Sequence, residues 1–318
     1  MKRVFIDGSA GTTGLRIHER LASRSDISLM LLPEEKRKDE KARRDAINSA
    51  DVVFLCLPDD AAREAVGFCD NPNTVIIDTS TAHRTNPNWV YGFPELGGFR
   101  DKIRQSKRIA NPGCHASGFL SLATPLVEMG LLRKDVRLSC FSLTGFSGGG
   151  KKMIAEYDGQ TSQNPYCSGR LYGLGQTHKH LPEMSKIAGL ANEPVFMPVV
   201  VPSYSGMEVM IPLSAGDVKC SKSDIAGAYD EYYNRKPGNC GIVRYVENLS
   251  EFVSDKEGFL PSVALSGRDD MLVGVVGNED RFVLISLFDN LGKGASGAAI
   301  QNMNIAIGAV ETEGLIIG

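Results

Sequence analysis

No uninterrupted apolar run in the 318 residues approaches the ~18 needed to span a bilayer, so a transmembrane helix is not expected. An excess of charge is missing too: 35 Lys and Arg stand against 38 Asp and Glu, a formal net charge of -3. That near-balance removes the electrostatic case for a general nucleic-acid binder, which needs a basic face. The seven cysteines (56, 69, 114, 140, 167, 220 and 240) form no C-x-x-C pair. Their odd count and wide spacing fit reduced thiols better than a disulfide framework or a zinc site. The chain begins Met1-Lys2-Arg3-Val4-Phe5-Ile6-Asp7 and meets a carboxylate after three apolar residues. That pattern argues against a signal or transit peptide and makes a cytoplasmic enzyme the expectation. Neither an internal repeat nor a low-complexity tract is present. What remains is ordinary globular composition, 42% hydrophobic and 23% charged. At ~150 residues per domain, the length suggests about two domains.

The order of patterns along the chain points to an α/β protein. Val4-Phe5-Ile6 reads as a buried strand, Gly8 to Gly14 as a turn, and the next residues as a helix with Leu15, Ile17, His18 and Leu21 on one face. Ile27 to Leu32 is a second strand ended by Pro33, and 51–57 and 74–78 are two more. Between these last two, a helix begins just after Pro58, with Asp59 and Asp60 in its first turn suiting the positive end of its dipole. Strand, turn, helix and strand in this order make parallel units with right-handed crossovers. We therefore expect an N-terminal doubly wound Rossmann-type domain. From about Arg137 the runs change: 136–142, 195–201, 207–213 and 282–287 look like a mainly antiparallel sheet of an α+β domain. The stretch 159–172 reads as a loop, and 290–302 as a loop running into a small-residue helix.

Five constellations could carry chemistry. Gly8, Gly11 and Gly14 form a G-x-x-G-x-x-G turn between a strand and a helix, the context in which a dinucleotide pyrophosphate is held. After the second strand, 34–44 mixes six bases with four acids. It reads as a solvated loop and helix face, with Lys36, Arg37 and Lys38 leaning toward a 2′-phosphate and hence NADP. Asn111-Pro112-Gly113-Cys114 is a turn leading into an apolar helix. Cys114 then stands near a helix N-terminus, which favours the nucleophilic thiolate. The other cysteines read as inert, with Cys56 and Cys140 inside strand-like runs. His178-Lys179-His180-Leu181-Pro182-Glu183 holds two of the five histidines before a proline that limits helical continuation. An imidazole here could serve the thiol as acid or base, oriented by Glu183. The competing reading is a surface turn, and no further ligands present themselves for a metal. Three glycines at 148–150 read as a flexible or phosphate-hugging loop, without the spacing of a P-loop. Ser80 and Arg84 follow a strand's carboxyl end, where α/β ligands bind.

Together these segments resemble the N-acetyl-gamma-glutamyl-phosphate reductase family, relatives of aspartate-semialdehyde dehydrogenase, and the shorter of the family's two subclasses. The matching stretches are 8–14, Leu57-Pro58-Asp59-Asp60-Ala61-Ala62, Tyr91-Gly92-Phe93-Pro94-Glu95-Leu96, Asn111-Pro112-Gly113-Cys114, 146–151, 178–184 and 289–294, in family order over essentially the whole chain. The resemblance implies a Rossmann-type domain of residues 1–113 and 291–318 and a catalytic and dimerisation domain of residues 114–290. It implies NADPH-dependent reduction of an acyl phosphate through a Cys114 thioester, with His180 as acid or base, His178 as its fallback and Glu183 in support. Gly8, Ser9, Ala10, Gly11, Thr12, Thr13, Gly14, Lys36, Pro58, Ser147, Gly148, Asn290 and Lys293 would bind the cofactor. Ser80, Arg84 and Asn111 would bind the substrate, no metal is needed, and a homo-oligomer is expected. Two positions depart from the pattern. His115 stands where an aromatic or aliphatic residue is expected, and the strands around 196–206 lack an arginine that some members carry there.

Two rivals follow from the same residues. A related semialdehyde dehydrogenase acting on aspartyl or aminoadipyl phosphate would share the chemistry and differ in substrate length. A non-catalytic NADP-binding sensor would need neither Cys114 nor the histidine pair.

Overall fold

A computed structural model describes residues 1–218, 220–236, 238–253 and 258–318. The chain divides into two compact units, one of Met1–Pro94, Gly98–Gly113 and Ala295–Leu315, the other of Glu95–Gly97, Cys114–Gly294 and Ile316–Gly318.

The first unit is built on six strands: β1 (Lys2–Asp7), β2 (Ile27–Met30), β3 (Val52–Leu55), β4 (Val75–Asp78), β5 (Val90–Tyr91) and β6 (Arg108–Ala110). All pair in parallel, in the order β2-β1-β3-β4-β6-β5. Such a sheet is covered on both faces, so its strands are apolar without alternation. Val4, Ile6, Val52, Phe54, Val75 and Ile77 meet α1 (Thr12–Leu21) and the helix Gly297–Ile307 on one face. Phe5, Val53, Leu55 and Ile76 meet α2 (Glu40–Ser49) and α3 (Asp59–Gly67) on the other. The doubly wound expectation is borne out. One detail of it is not: Leu15 is 43% exposed, and α1 buries Gly14, Ile17 and Leu21 instead. A fourth helix, α4 (Phe99–Gln105), adds Ile103 to the first face.

In the second unit α5 (Cys114–Glu128) is buried from His115 to Val127. It lies on a seven-stranded sheet of β7 (Ser139–Gly145), β8 (Arg170–Leu171), β9 (Val195–Val201), β10 (Met207–Ser214), β11 (Val243–Tyr245), β12 (Met271–Gly277) and β13 (Arg281–Phe288). Their order is β11-β12-β13-β10-β7-β9-β8, antiparallel except at β7–β9 and β11–β12. The contact with α5 is close enough that a Cβ on Gly118 would stand 2.3 Å from a Val209 methyl. Three further helices follow, α6 (Gly150–Tyr157), α7 (Leu181–Ala188) and α8 (Lys222–Tyr229), and α5 touches α7 and α8.

A helix buried this deeply must have its backbone carbonyls satisfied internally. Pro125 has no N–H to give the Ser121 carbonyl one turn before it. The buried Tyr233 hydroxyl donates to that carbonyl at 2.6 Å, and Tyr229 donates to the next one, Leu122, at 2.6 Å. Tyr233→Phe orphans the carbonyl and should cost about 1–3 kcal/mol, measured by urea unfolding. An unchanged midpoint would show that Ser121 finds another donor.

Side chains alternate along β10, so Val209 faces α5 while Glu208 points to the opposite face, with Leu143 and Leu287 as its cross-strand neighbours. Burial pushes the Glu208 carboxyl from 4.5 up to about 7. Below 4.5 it is protonated whether the chain is folded or not. As pH rises toward 7 the unfolded chain ionises first, so this group lowers stability progressively through that window. Glu208→Gln should remove that slope and raise Tm at neutral pH, as read from melting curves across the pH range.

Candidate active site

In the first unit the glycine turn closes the carboxyl end of β1. Gly8 has φ +87°, a left-handed conformation that L side chains rarely adopt, and a Cβ there would sit 2.3 Å from the Cys56 carbonyl oxygen beyond β3. The Gly11 N–H donates to Gly8 at 3.0 Å, and a Cβ on Gly14 would strike the Gly8 oxygen at 2.6 Å. Ser9 and Ala10 complete the turn; Thr12 and Thr13 open α1, whose N-cap, Gly11, offers no side chain to cap the free N–H groups. Thr12 Oγ1 is buried here with no hydrogen-bond partner among the described residues. A concave backbone, an uncapped helix N-terminus and a spare hydroxyl fit the pyrophosphate of a dinucleotide. The order of strands reverses between β2-β1 and β1-β3, so this edge is the switch point of the sheet. Pro58 caps α3 after β3, and Lys36 is exposed in a short 3₁₀ turn after β2.

Part of the charge run is not solvated. Arg43 is buried and pairs with Asp7 at 3.0 Å and with Glu64 at 2.9 Å. Burial raises the Asp7 carboxyl, and the Arg43 guanidinium draws it back. The pair fixes α2 to the end of β1, immediately before Gly8.

Ser80, Arg84 and Asn111 also lie in this unit, each engaged within it. The Ser80 hydroxyl donates to Asp78 at 2.8 Å. His83 contacts the same carboxylate at 2.6 Å and stacks on Trp89. Arg84 donates to the Asn111 and Thr79 carbonyls, both at 2.9 Å. The Asn111 amide donates to Ala295 and accepts from Asn302, both at 3.0 Å. These side chains brace the loops after β4 and β6.

In the second unit Cys114 is the first residue of α5, as its turn suggested. The loop after β13 presses on it: a Cβ on Gly294 would lie 2.9 Å from Cys114 Cβ. Asp289 holds that loop, accepting from the Leu291 N–H at 2.7 Å and the Ser205 hydroxyl at 3.1 Å. Asn290 donates to Ser147 and accepts from the Gly206 N–H, both at 3.0 Å, with Gly148 packed beside it. By contrast, burial pushes the Cys56 thiol up to about 12 and raises Cys140 further, which keeps both as unreactive thiols.

Three of the five histidines gather in this unit. The His178 and His180 rings are 4.8 Å apart, and each lies 5.6 Å from His115. His178 Nδ1 accepts from the His180 N–H at 3.2 Å. His180 is the N-cap of α7, and Pro182 sits in that helix's first turn, where a missing N–H costs nothing. The proline therefore starts a helix where it was expected to stop one. Glu183, also in the first turn, is buried. Among the described residues no group of three or more His, Cys, Asp or Glu could hold a metal ion.

Family models match both units: semialdehyde dehydrogenase, NAD binding domain, over residues 3–106, and semialdehyde dehydrogenase, dimerisation domain, over residues 114–290. A protein of Burkholderia cenocepacia named N-acetyl-gamma-glutamyl-phosphate reductase is 41% identical over 309 residues, 96% of this chain and 97% of its own. A Pseudomonas putida protein named N-acetyl-gamma-glutamyl-phosphate reductase 2 is 42% identical, with 98% of both chains covered. The chain belongs to the N-acetyl-gamma-glutamyl-phosphate reductase family. Like other members it is an NADP-dependent oxidoreductase with a Rossmann-type domain. Solved aspartate semialdehyde dehydrogenases share the fold: the Francisella tularensis structure has TM-score 0.71 at 16% identity, covering 96% of this chain and 99% of its own. That of dehydrogenase II from Vibrio cholerae, complexed with ASA, has TM-score 0.70 at 16% identity, covering 96% and 98%.

One expectation from the sequence needs correction. The glycines 148–150 are not an open loop: Gly148 and Gly149 lie in a 3₁₀ turn, Phe146–Gly149, and Gly150 starts α6. Hydrogen bonds from the Gly145, Phe146 and Ser147 N–H groups to the 203–206 turn hold the chain there as it passes from β7 into the 3₁₀ turn. Lys293, expected to bind the cofactor, is engaged in a buried ion pair. It is 1% exposed, with Nζ 2.9 Å from both Glu95 oxygens. Sequence reasoning missed Tyr172, Ser142 and Phe196, which surround His115. The available signal was His115 itself, an imidazole beside the thiol in a chain with only five.

Removing the Lys293 cation leaves a buried carboxylate unpaired. Lys293→Met should cost about 3–5 kcal/mol in urea unfolding, and Lys293→Met with Glu95→Met should recover much of it. Equal losses in the single and double variants would mean that the pair is not what Lys293 contributes.

Proposed function

We propose that this chain reduces N-acetyl-gamma-glutamyl phosphate to N-acetylglutamate 5-semialdehyde and inorganic phosphate, with NADPH as reductant, as a step of arginine biosynthesis. The observation that carries this reading is Cys114, at the start of a buried helix in the same unit as three clustered histidines, in a chain over 40% identical to proteins bearing that reductase name.

The Cys114 thiolate attacks the γ-carbonyl carbon. The carbon–oxygen bond to phosphate breaks, and a thioester remains on the sulfur. NADPH, when bound, would supply a hydride to that carbon. The resulting thiohemiacetal oxyanion collapses, the carbon–sulfur bond breaks, and the aldehyde leaves with the thiolate restored. The first-turn N–H groups of α5 favour both the thiolate and the oxyanion. His180, supported by the buried Glu183, handles the proton at sulfur; His178 orients His180 through the hydrogen bond to its backbone. The turn from Gly8 to Gly14, with Thr12 Oγ1, would hold the pyrophosphate of the cofactor, with Pro58 beside it and Lys36 for the 2′-phosphate. Arg84, Ser80 and Asn111 shape the loops that receive the substrate rather than gripping it. The enzyme works in the cytoplasm as a homo-oligomer assembled through the sheet of the second unit.

The test runs the reaction in reverse, following NADPH absorbance with N-acetylglutamate 5-semialdehyde, phosphate and NADP. Phosphate-dependent turnover is expected, falling by at least about 10³-fold in Cys114→Ala. Turnover with aspartate 4-semialdehyde alone would overturn the substrate and keep the chemistry. NADP binding without turnover of either would overturn the enzymatic reading.

A further inference from the structure

Cys114 is held along the axis of α5 and also by the loop after β13, and that loop needs an anchor of its own. Within it the Gly294 N–H donates to the Asp289 carbonyl, five residues back, at 3.0 Å, which is the spacing of a π turn. Such turns are rare and occur mostly singly, frequently at functional sites. Here the surroundings are close on both sides. A Cβ on Gly292 would stand 1.9 Å from the Arg268 carbonyl oxygen. One on Gly294 would stand 2.9 Å from Cys114 Cβ, 3.1 Å from the Asp289 oxygen and 3.2 Å from a Phe288 ring carbon. Lys293 lies between the two glycines, and its buried ammonium is 2.9 Å from each oxygen of Glu95.

Glu95 is itself tied down. It opens Glu95–Gly97, a short stretch of the second unit that stands apart in sequence from the rest of it. The Gly97 N–H donates to the Tyr232 hydroxyl at 2.9 Å, and that hydroxyl donates to Glu128, the last residue of α5, at 2.7 Å. A Cβ on Gly97 would strike the same carboxylate at 2.1 Å. A chain of contacts therefore runs from the last residue of α5 through Gly97, Glu95, Lys293 and Gly294 to its first residue, Cys114. Both ends of this strap rest on one helix of 15 residues, so the helix fixes the span. Stability alone does not call for an ion pair in the middle of it, because apolar residues of similar volume commonly serve a buried position as well or better. What an ammonium gripped by both oxygens of a carboxylate adds is direction.

We infer that Lys293 is a positioning residue for Cys114: its ion pair with Glu95 seats Gly294 against the Cβ of the nucleophile. The effect of the pair on turnover rests on the thioester reading above. Its effect on the reactivity of the thiol does not, and the two are separable.

The experiment uses the double variant Lys293→Met with Glu95→Met, in which stability recovers but direction does not, beside Gly294→Ala. Cofactor-free protein is alkylated with iodoacetamide and read by mass spectrometry on the Cys114 peptide, with the buried Cys140 reporting any unfolding. In the double variant the freed loop should open Cys114 to several-fold faster alkylation while Cys140 stays protected. In the turnover assay kcat should fall by about 10–100-fold, with KM for semialdehyde, phosphate and NADP little changed. Gly294→Ala should lower kcat by a similar factor. Adding it to the double variant should cost little more, because both disturb the same contact. Wild-type kcat and Cys114 reactivity in the double variant would overturn the proposal, and so would losses that multiply in the triple one. A raised KM for NADP at unchanged kcat would overturn it too, by assigning Lys293 to the cofactor. Should the double variant fail to fold, Glu95→Gln and Gly294→Ala carry the same test. If Cys114 reactivity changes while no semialdehyde is turned over, Lys293 keeps its role and the proposed reaction fails.

Discussion

Complete burial of α5 is the constraint on which the second unit depends. A helix presented to solvent on one side could tolerate polar residues and a loose fit there. This one is enclosed, so even its polar residues His115, Ser117, Ser121 and Thr124 are buried; it carries a glycine where β10 crosses it, and Tyr229 and Tyr233 answer its irregular backbone. Enclosure also sets the position of its first residue. Cys114 cannot shift along the helix axis without driving Gly118 off Val209, and Gly294 presses on it from the following loop. A nucleophile needs that fixity, because misplacement by an ångström costs orders of magnitude in rate.

The first unit solves a different problem with a comparable device. A dinucleotide turn has to keep its backbone close to a phosphate while carrying almost no side chain to hold it in shape. Here rigidity comes from both sides. The Cys56 carbonyl and the backbone of Gly8 leave no room for side chains, and the buried Asp7–Arg43 pair anchors the strand just before the turn. Arg43 itself reaches Asp7 from the charged segment after β2, so α2 contributes to the turn although it lies far from it in sequence.

The parts that could be read from the sequence were those with a local signature. Strand lengths and the switch from parallel to mainly antiparallel pairing followed from apolar runs and alternation, which are set by nearest neighbours. The placement of Cys114 followed from Pro112-Gly113 and the apolar residues after it. What escaped was decided by distant partners. Arg43 looks like any exposed base in a charged run until Asp7 is found beneath it. Lys293 looks like a cofactor-binding residue, yet its ammonium pairs with Glu95, almost two hundred positions earlier. Tyr172 closes a stretch of glycines, serines and asparagines that reads as a loop, and only the antiparallel pairing of β8 with β9 brings its ring back over His115. Pro182 misled for a subtler reason: the same residue that ends a helix from within begins one from its first turn, and the residues after it decide which.

The histidine cluster shows what an enclosed polar group demands. A ring at position 115 that was merely aromatic would pack against Phe196 and ask nothing further of its surroundings. An imidazole there carries two nitrogens that must both find partners, or the enclosure becomes unfavourable by more than a hydrogen bond returns. Ser142 and Tyr172 meet that demand, and in doing so they lose freedom of their own. The tyrosine can no longer rotate away to solvent, and its hydroxyl is committed to one direction. His115 thus makes a polar linkage between the start of α5, Ser142 on β7 and Tyr172 just past β8.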